Sequence, residues 1–276
     1  MGKRQLFNYQ LKGILDQIIF QPAKGGDLVT ERLYINKIIF ERTLKKESYL
    51  NHLPAVRHLN DKGELKFNKK VTIFVGENGT GKSTLIEAIA VAFGFNPEGG
   101  SRNFNFSTNA SHSELWEHLI LEKQDFPKDG FFLRAESFYN VASNIEELDK
   151  QPAASGFIIE GYGGISLHKQ SHGESFMSLV QNRFGKNGLY ILDEPEAALS
   201  PTKLLTLMAE INQLVKSNSQ FIIATHSPIL MAFPNAEIYE FSDKGINLVD
   251  YTQTEHYKVT KAFLSTPERM LEMILE

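Results

Sequence analysis

Cysteine is absent from the 276 residues, which excludes disulfides, thiolate metal sites and a cysteine nucleophile, and leaves the redox compartment open. Long hydrophobic runs are missing too. No stretch approaches the roughly 18 consecutive apolar residues that a membrane-spanning helix needs. Nor is there an excess of charge of one sign. Twenty-nine Lys and Arg against 33 Asp and Glu leave a net charge of −4, so bulk charge does not point to nucleic acid or an acidic membrane. Targeting signals also fail on inspection. Leu6 stands where a myristoylation motif needs Ser or Thr, and Lys12, Asp16 and Gln17 interrupt the only apolar stretch near the start. The expectation is a cytoplasmic protein with no membrane partner. What remains is 42% apolar and 22% charged residues, enough for a sizeable core in one large or two small domains.

Residues 1–30 read as a separate helical extension. Leu11, Ile14, Leu15, Ile18 and Ile19 recur at helical spacing, and Pro22 with Gly25-Gly26 ends the run. Such a helix either packs on the main domain or serves as an arm for a partner. Beyond it, Leu33 to Phe40, Val71 to Val75, Phe131 to Ala135, Leu189 to Leu192 and Phe221 to Ala224 read as strands. Helices are expected over Leu85–Phe93, around Leu115–Leu121, and over Ser175–Arg183, Lys203–Lys216 and Thr266–Leu275. Glu237–Phe241 and Ile246–Tyr251 form a plausible hairpin around Lys244-Gly245. Residues 41–70 read as polar and irregular, Asn144–Lys150 as a polar stretch that Gln151-Pro152 breaks, and residues 155–167 as a Gly-rich loop or short strand. Strands alternating with helices predict an α/β fold with a mainly parallel core.

The pattern Gly76-x4-Gly81-Lys82-Ser83 is a phosphate-binding loop, and it lies between a strand and a helix as that loop should. Glycines let successive backbone N–H groups turn inward around an anion, and the next helix offers its positive end to the same phosphates. Gly76, Asn78, Gly79, Thr80, Gly81, Lys82, Ser83 and Thr84 are therefore the candidate nucleotide-binding residues. Lys82 would reach the β- and γ-phosphates, and Ser83 would ligate Mg2+. Leu189 to Glu194 is an apolar strand ending in two carboxylates. Asp193 would hold the metal through water, and Glu194 could accept a proton from an attacking water. The implied ligands are ATP and Mg2+.

Here the sequence resembles a family. Asp193-Glu194-Pro195-Glu196-Ala197-Ala198-Leu199-Ser200-Pro201 is similar to the Walker B and D-loop segment of ABC-type ATPases. Ala224-Thr225-His226-Ser227-Pro228 resembles their switch-histidine segment, and Ser171-His172-Gly173-Glu174-Ser175 resembles their signature. The resemblance is to ATPases of the SMC/RecF kind and small stand-alone relatives rather than to transporter subunits. It implies a P-loop NTPase fold: an ABC-ATPase-like head spanning residues 31–276, with a mainly parallel core sheet, an antiparallel β part and a small helical lobe at roughly 95–185.

It also implies a mechanism. Two chains would sandwich two ATP molecules head to tail, with Ser171 and Gly173 of one chain touching the γ-phosphate held by the other. Glu194, His226 and Lys82 would be the catalytic residues, with His226 sensing the γ-phosphate. Several positions depart from the family pattern. Ser200 replaces the usual Asp, Glu174 replaces glutamine, and His172 either reaches a phosphate or packs. Ser171 is equally a helix N-cap. Glu136 stands in place of the Q-loop glutamine, as a metal-side residue or a surface carboxylate. Tyr34, Phe40 and Tyr49 are candidates for stacking on adenine or for the core, and Phe104 and Phe106 for subunit contacts. Lys45-Lys46 and Lys69-Lys70 are a solvated face or a nucleic-acid contact. The expected function is ATP hydrolysis by an ATP-dependent homodimer in DNA repair, phage defence or a related process, with a nucleic acid or effector protein as partner. The alternative is a nucleotide-gated regulatory module with little hydrolysis. A phosphotransferase is a weaker third.

Overall fold

Strand Val71–Gly76 (β3) is buried at all six positions, so it belongs inside a sheet covered on both faces. A computed structural model describes residues 32–41, 44–101, 112–150 and 157–275 of the chain. The expected amino-terminal helix, Phe104 and Phe106 lie outside the described residues. The other strands are Lys37–Phe40 (β1), Glu64–Lys66 (β2), Leu119–Glu122 (β4), Asp129–Arg134 (β5), Gly188–Asp193 (β6), Gln220–Ala224 (β7), Glu237–Ser242 (β8) and Gly245–Val249 (β9). They form a six-stranded sheet in the order β5-β6-β7-β3-β8-β9 and a three-stranded sheet in the order β2-β1-β4. All pairs in the larger sheet are parallel except the β8–β9 hairpin, and the smaller sheet is antiparallel. This is the α/β arrangement expected, with a mainly parallel core and an antiparallel part.

Alternation along β3 divides the core. Val71, Ile73 and Val75 face one cluster and Phe74 faces the other. The Phe74 side is covered by helix Lys82–Phe93 (α2), by helix Pro54–Lys62 (α1), and by the small sheet through Ile38, Leu65 and Leu119. The opposite side is covered by Phe138–Asp149 (α3), His172–Arg183 (α4) and Pro201–Lys216 (α5). Helix Pro228–Met231 (α6) follows β7, and Glu255–Ser265 (α7) and Pro267–Leu275 (α8) close the described chain.

Several expectations need correction. The helix expected around Leu115–Leu121 is a 3-10 turn, Glu114–His118, followed by β4, because Ile38 and Ile39 of β1 pair with Leu121 and Ile120. The stretch after residue 41, expected to be irregular, contains α1, which starts on Pro54 and stops at Gly63 with φ 76°. The mostly polar residues 144–149 belong to α3, whose Phe138, Val141, Ala142 and Ile145 form a buried stripe at helical spacing. One carboxy-terminal helix was expected and two are present.

Two polar clusters tie the lower edge of the sheet. Gln220 is 1% exposed. Its Oε1 accepts from the Tyr34 and Ile35 N–H groups at 2.8 and 2.9 Å, and its Nε2 donates to the Ile35 carbonyl at 2.7 Å. Asp129 accepts from Arg183 Nη1 at 2.7 Å, the Tyr190 hydroxyl at 2.8 Å and the Gly185 N–H at 3.1 Å. Burial pushes the Asp129 carboxyl up, but Arg183 and the hydrogen bonds outweigh it and hold it below the usual range. The stability it lends is therefore complete above the ordinary carboxylate range and is lost as pH falls through the lowered value. Asp129→Ala strands Arg183 and is expected to cost about 2–3 kcal/mol, measured by urea denaturation at pH 7.

Candidate functional site

The parallel register brings the chemistry-bearing ends together. Arg134 lies beside Asp193, Asp193 beside Ala224, and Ala224 beside Phe74. The residues just past those positions therefore form one row outside the carboxyl ends of β5, β6, β7 and β3, the usual ligand crevice of an open α/β sheet.

The phosphate loop hangs from β3. Gly76, Gly79 and Gly81 have φ of 138°, 83° and 93°. A side chain is excluded at Gly76, where a Cβ would lie 2.2 Å from the Phe241 carbonyl oxygen. Glu77, Asn78 and Gly79 are exposed, whereas Thr80 and Lys82 are buried. Thr80 Oγ1 donates to the Glu77 carbonyl at 2.8 Å, which braces the loop. Gly81 caps α2 without a side-chain bond, so the first N–H groups of that helix are left for a ligand. Helix α1 docks on the same loop, the Ala55 N–H donating to the Thr80 carbonyl at 3.1 Å.

Lys82, Glu194 and His226 meet at one point. Lys82 Nζ lies 2.9 Å from His226 Nε2, and Glu194 Oε1 lies 3.5 Å from the same nitrogen. Burial lowers the Lys82 amine, partly offset by Glu194 and Asp193. Burial and the Lys82 charge hold His226 below the ordinary histidine range. Glu194 has φ 52°, a left-handed conformation rare outside glycine and asparagine. That conformation turns the chain directly after Asp193, while the Glu194 N–H stays bonded to the Ala224 carbonyl at 2.9 Å. Glu196 Oε1 accepts from the His226 N–H at 2.5 Å and so fixes the switch segment to the segment after β6.

Ser83, Arg134, Ala135, Glu136, Asp193 and Glu194 line a cavity of about 30 Å3. Asp193 is 6% exposed, and its Oδ1 is buried without a hydrogen-bond partner. Burial raises its pKa to about 6, against the pull of Arg134, whose Nε lies 3.5 Å from Oδ2. A hard cation between Asp193 and the Ser83 hydroxyl would satisfy that orphaned oxygen, so these residues fit Mg2+. Glu136 is on the rim of the same cavity. No group of three or more His, Asp or Glu that could hold a metal alone occurs among the described residues.

The signature residues lie elsewhere. Ser171 precedes α4 and is exposed; its N–H and Oγ both donate to Glu174 Oε2, at 3.0 and 2.6 Å. Within one chain the N-cap reading holds, and none of these bonds reaches the phosphate loop. The His172 ring packs edge-on against Phe138, with centroids 6.0 Å apart. Gly173 sits against the segment after β6, where a Cβ would lie 2.8 Å from the Ala198 carbonyl oxygen. Ser200 caps α5, accepting from the Lys203 N–H at 3.4 Å. Tyr34 is buried with its hydroxyl on the Asn218 carbonyl, and Phe40 stacks on His118. Tyr49 alone of the three is widely exposed, at 57%, in the 3-10 turn that leads into α1.

Sequence reasoning missed Arg134 as the partner of Asp193 and of Glu87, whose Oε2 accepts from Arg134 Nη1 at 2.5 Å. A basic residue closing an apolar strand was the available signal. It also missed His256, which meets the far side of the His226 ring; no local pattern marks that residue.

Two protein-family models match the chain. One, described as an AAA domain, covers residues 52–151. The other, an AAA domain whose description adds an AbiEii toxin and a type IV TA system, covers residues 167–232. Among curated proteins, the ribose import ATP-binding protein RbsA of Yersinia pestis is 24% identical over 198 residues, 64% of this chain and 36% of that protein. The chain thus spans about a third of the length of the curated relatives it matches. Solved structures include the SMC head domain from Thermotoga maritima, with 16% identity, 79% of this chain and 99% of that one covered, and a TM-score of 0.40. Another is cbiO1 from Clostridium perfringens, part of the ABC transporter complex cbiONQ, with 15% identity, 88% and 100% coverage, and a TM-score of 0.45. No described helix is long and apolar enough to cross a membrane.

Proposed function

We propose that residues 31–276 form an ABC-type ATPase domain that binds ATP with Mg2+, closes head to tail with a second copy around two nucleotides, and hydrolyses them to ADP and phosphate. The observation that carries the reading is the meeting of Lys82, Glu194 and His226 within 3.5 Å at the mouth of the phosphate loop. ATP phosphates would draw Lys82 from His226 into the loop, leaving His226 Nε2 and Glu194 facing the γ-phosphate. Glu194 then takes the proton of the attacking water and His226 positions it. Ser83 and Asp193, with Glu136 at the rim, would hold the metal, which when bound neutralises charge building on the transferred phosphoryl group. Ser171, exposed, and Gly173, half-buried, are the part offered to the partner's nucleotide. Tyr49, next to α1, offers its ring to adenine.

The process served is DNA repair, phage defence or another ATP-gated event, with a nucleic acid or an effector protein as partner. The second reading, a nucleotide-gated regulatory module with little hydrolysis, draws on Glu174. Its carboxylate is spent on capping Ser171 where the resemblance expects a glutamine. Light scattering tests the closure. The mass of Glu194→Gln is expected to double with MgATP and not without it, and adding Ser171→Arg is expected to prevent doubling. A mass indifferent to ATP sinks the gated dimer.

A further inference from the structure

Helices α7 and α8 bury none of their residues. The first turn of α7 is nevertheless pinned. Thr254, fully buried, accepts from the Tyr257 N–H at 3.3 Å, and the Glu255 N–H donates to Glu240 Oε1 of β8 at 3.2 Å. This sets His256 against His226, two residues past β7. His256 Nε2 lies 3.1 Å from His226 Nδ1, with ring centroids 5.2 Å apart.

The hydrogen-bond direction follows from the other side of the ring. A lysine ammonium has donors only. Lys82 therefore donates to His226 Nε2 at 2.9 Å, the His226 proton sits on Nδ1, and His256 Nε2 accepts it. His256 Nδ1 is then a buried group with no hydrogen-bond partner. Leaving a buried polar nitrogen unpaired is costly, and an apolar ring would fill the space without that cost. Packing alone is thus a poor account of a histidine here.

The geometry points to His256 as a positioning residue: it holds the His226 ring so that Nε2 faces Lys82 and Glu194, and it links the carboxy-terminal helices to the nucleotide. The inference rests on the ATPase reading above for its role in turnover. Its structural content, the orientation and tautomer of His226, stands apart from that reading. When Lys82 leaves for the phosphates, His256 is the contact that keeps His226 from swinging. The same contact passes any shift of His226 to the exposed face of α7 and α8.

The full chain carrying His256→Phe or His256→Gln tests this. Phenylalanine keeps a ring without an acceptor, and glutamine returns a polar atom near the place of Nε2. Three readouts are needed: turnover, nucleotide affinity by a fluorescent ATP analogue, and the 15N shifts of the His226 ring. His256→Phe is expected to lower kcat about tenfold or more with affinity within about twofold, since small misplacements of a reacting group cost that much. It should also move the His226 Nδ1 and Nε2 shifts toward the exchanging tautomers of a free imidazole. His256→Gln should recover most of both. Unchanged His226 shifts in His256→Phe overturn the inference, and so does a loss of affinity and turnover together that glutamine fails to rescue. A wild-type chain without turnover overturns the ATPase reading instead, and the ring shifts still decide this one.

Discussion

Glu194→Gln is expected to cut ATP turnover by at least about 100-fold, the range that a lost general base produces, while nucleotide affinity stays within a few-fold. Glutamine keeps the size and most of the polarity of glutamate but cannot take a proton. Glu194 stands next to Asp193, 3.5 Å from His226 Nε2 and half-buried, in a backbone conformation with φ 52° that the substitution leaves alone. Stability should therefore change by less than about 1 kcal/mol, an ordinary shift for a partly exposed side chain. Phosphate release in the steady state measures the first quantity and a thermal melt the second. If turnover survives the substitution, Glu194 is not the base. If affinity falls with turnover, Glu194 belongs to the binding of the nucleotide instead.

The second large effect is structural. Gly76→Ala places a Cβ 2.2 Å from the Phe241 carbonyl oxygen, backbone that cannot give way without parting β3 from β8. The backbone there, at φ 138°, also disfavours a side chain. A loss of more than about 3 kcal/mol is expected, on the scale of severe overpacking with backbone strain, with poor recovery of folded protein. Gly79→Ala is the control three residues along the same loop. A Cβ there meets nothing within 4 Å, and its φ of 83° leaves only a left-handed penalty of about 1–2 kcal/mol. Urea denaturation of both variants, beside the wild-type chain, measures the difference. Equal losses would mean that the contact with Phe241 contributes nothing.

Much of this architecture is legible in the sequence. The strands β3, β6 and β7 announce themselves as continuous apolar runs, because a strand buried on both faces needs no polar alternation. The phosphate loop is legible because its glycines, lysine and serine are fixed by the anion. Helices α1 and α3 were harder. In α3 the stripe Phe138, Val141, Ala142 and Ile145 is present, but the mostly polar residues up to Asp149 that share the helix outweigh it. Strand β4 reads as helix until β1 is there to pair with it. Arg134 and His256 acquire their meaning from partners 59 and 30 residues away, Asp193 and His226, so no local window contains both members. Ser171 was legible in both of its readings, and one chain displays only the N-cap.

Gln220 has a consequence for how anything joins this domain. Its amide stands in for a neighbouring strand, holding residues 34 and 35 to the amino end of β7. His226 lies past the other end of that strand, six residues on from Gln220, and the five residues of the strand alone span about 16 Å at roughly 3.3 Å each. Residues 34 and 35 therefore sit on the underside of the sheet, away from the phosphate loop. In the pair of copies proposed above, joined through their loops, the two Gln220 anchor points would face outward in opposite directions, away from the nucleotide seam.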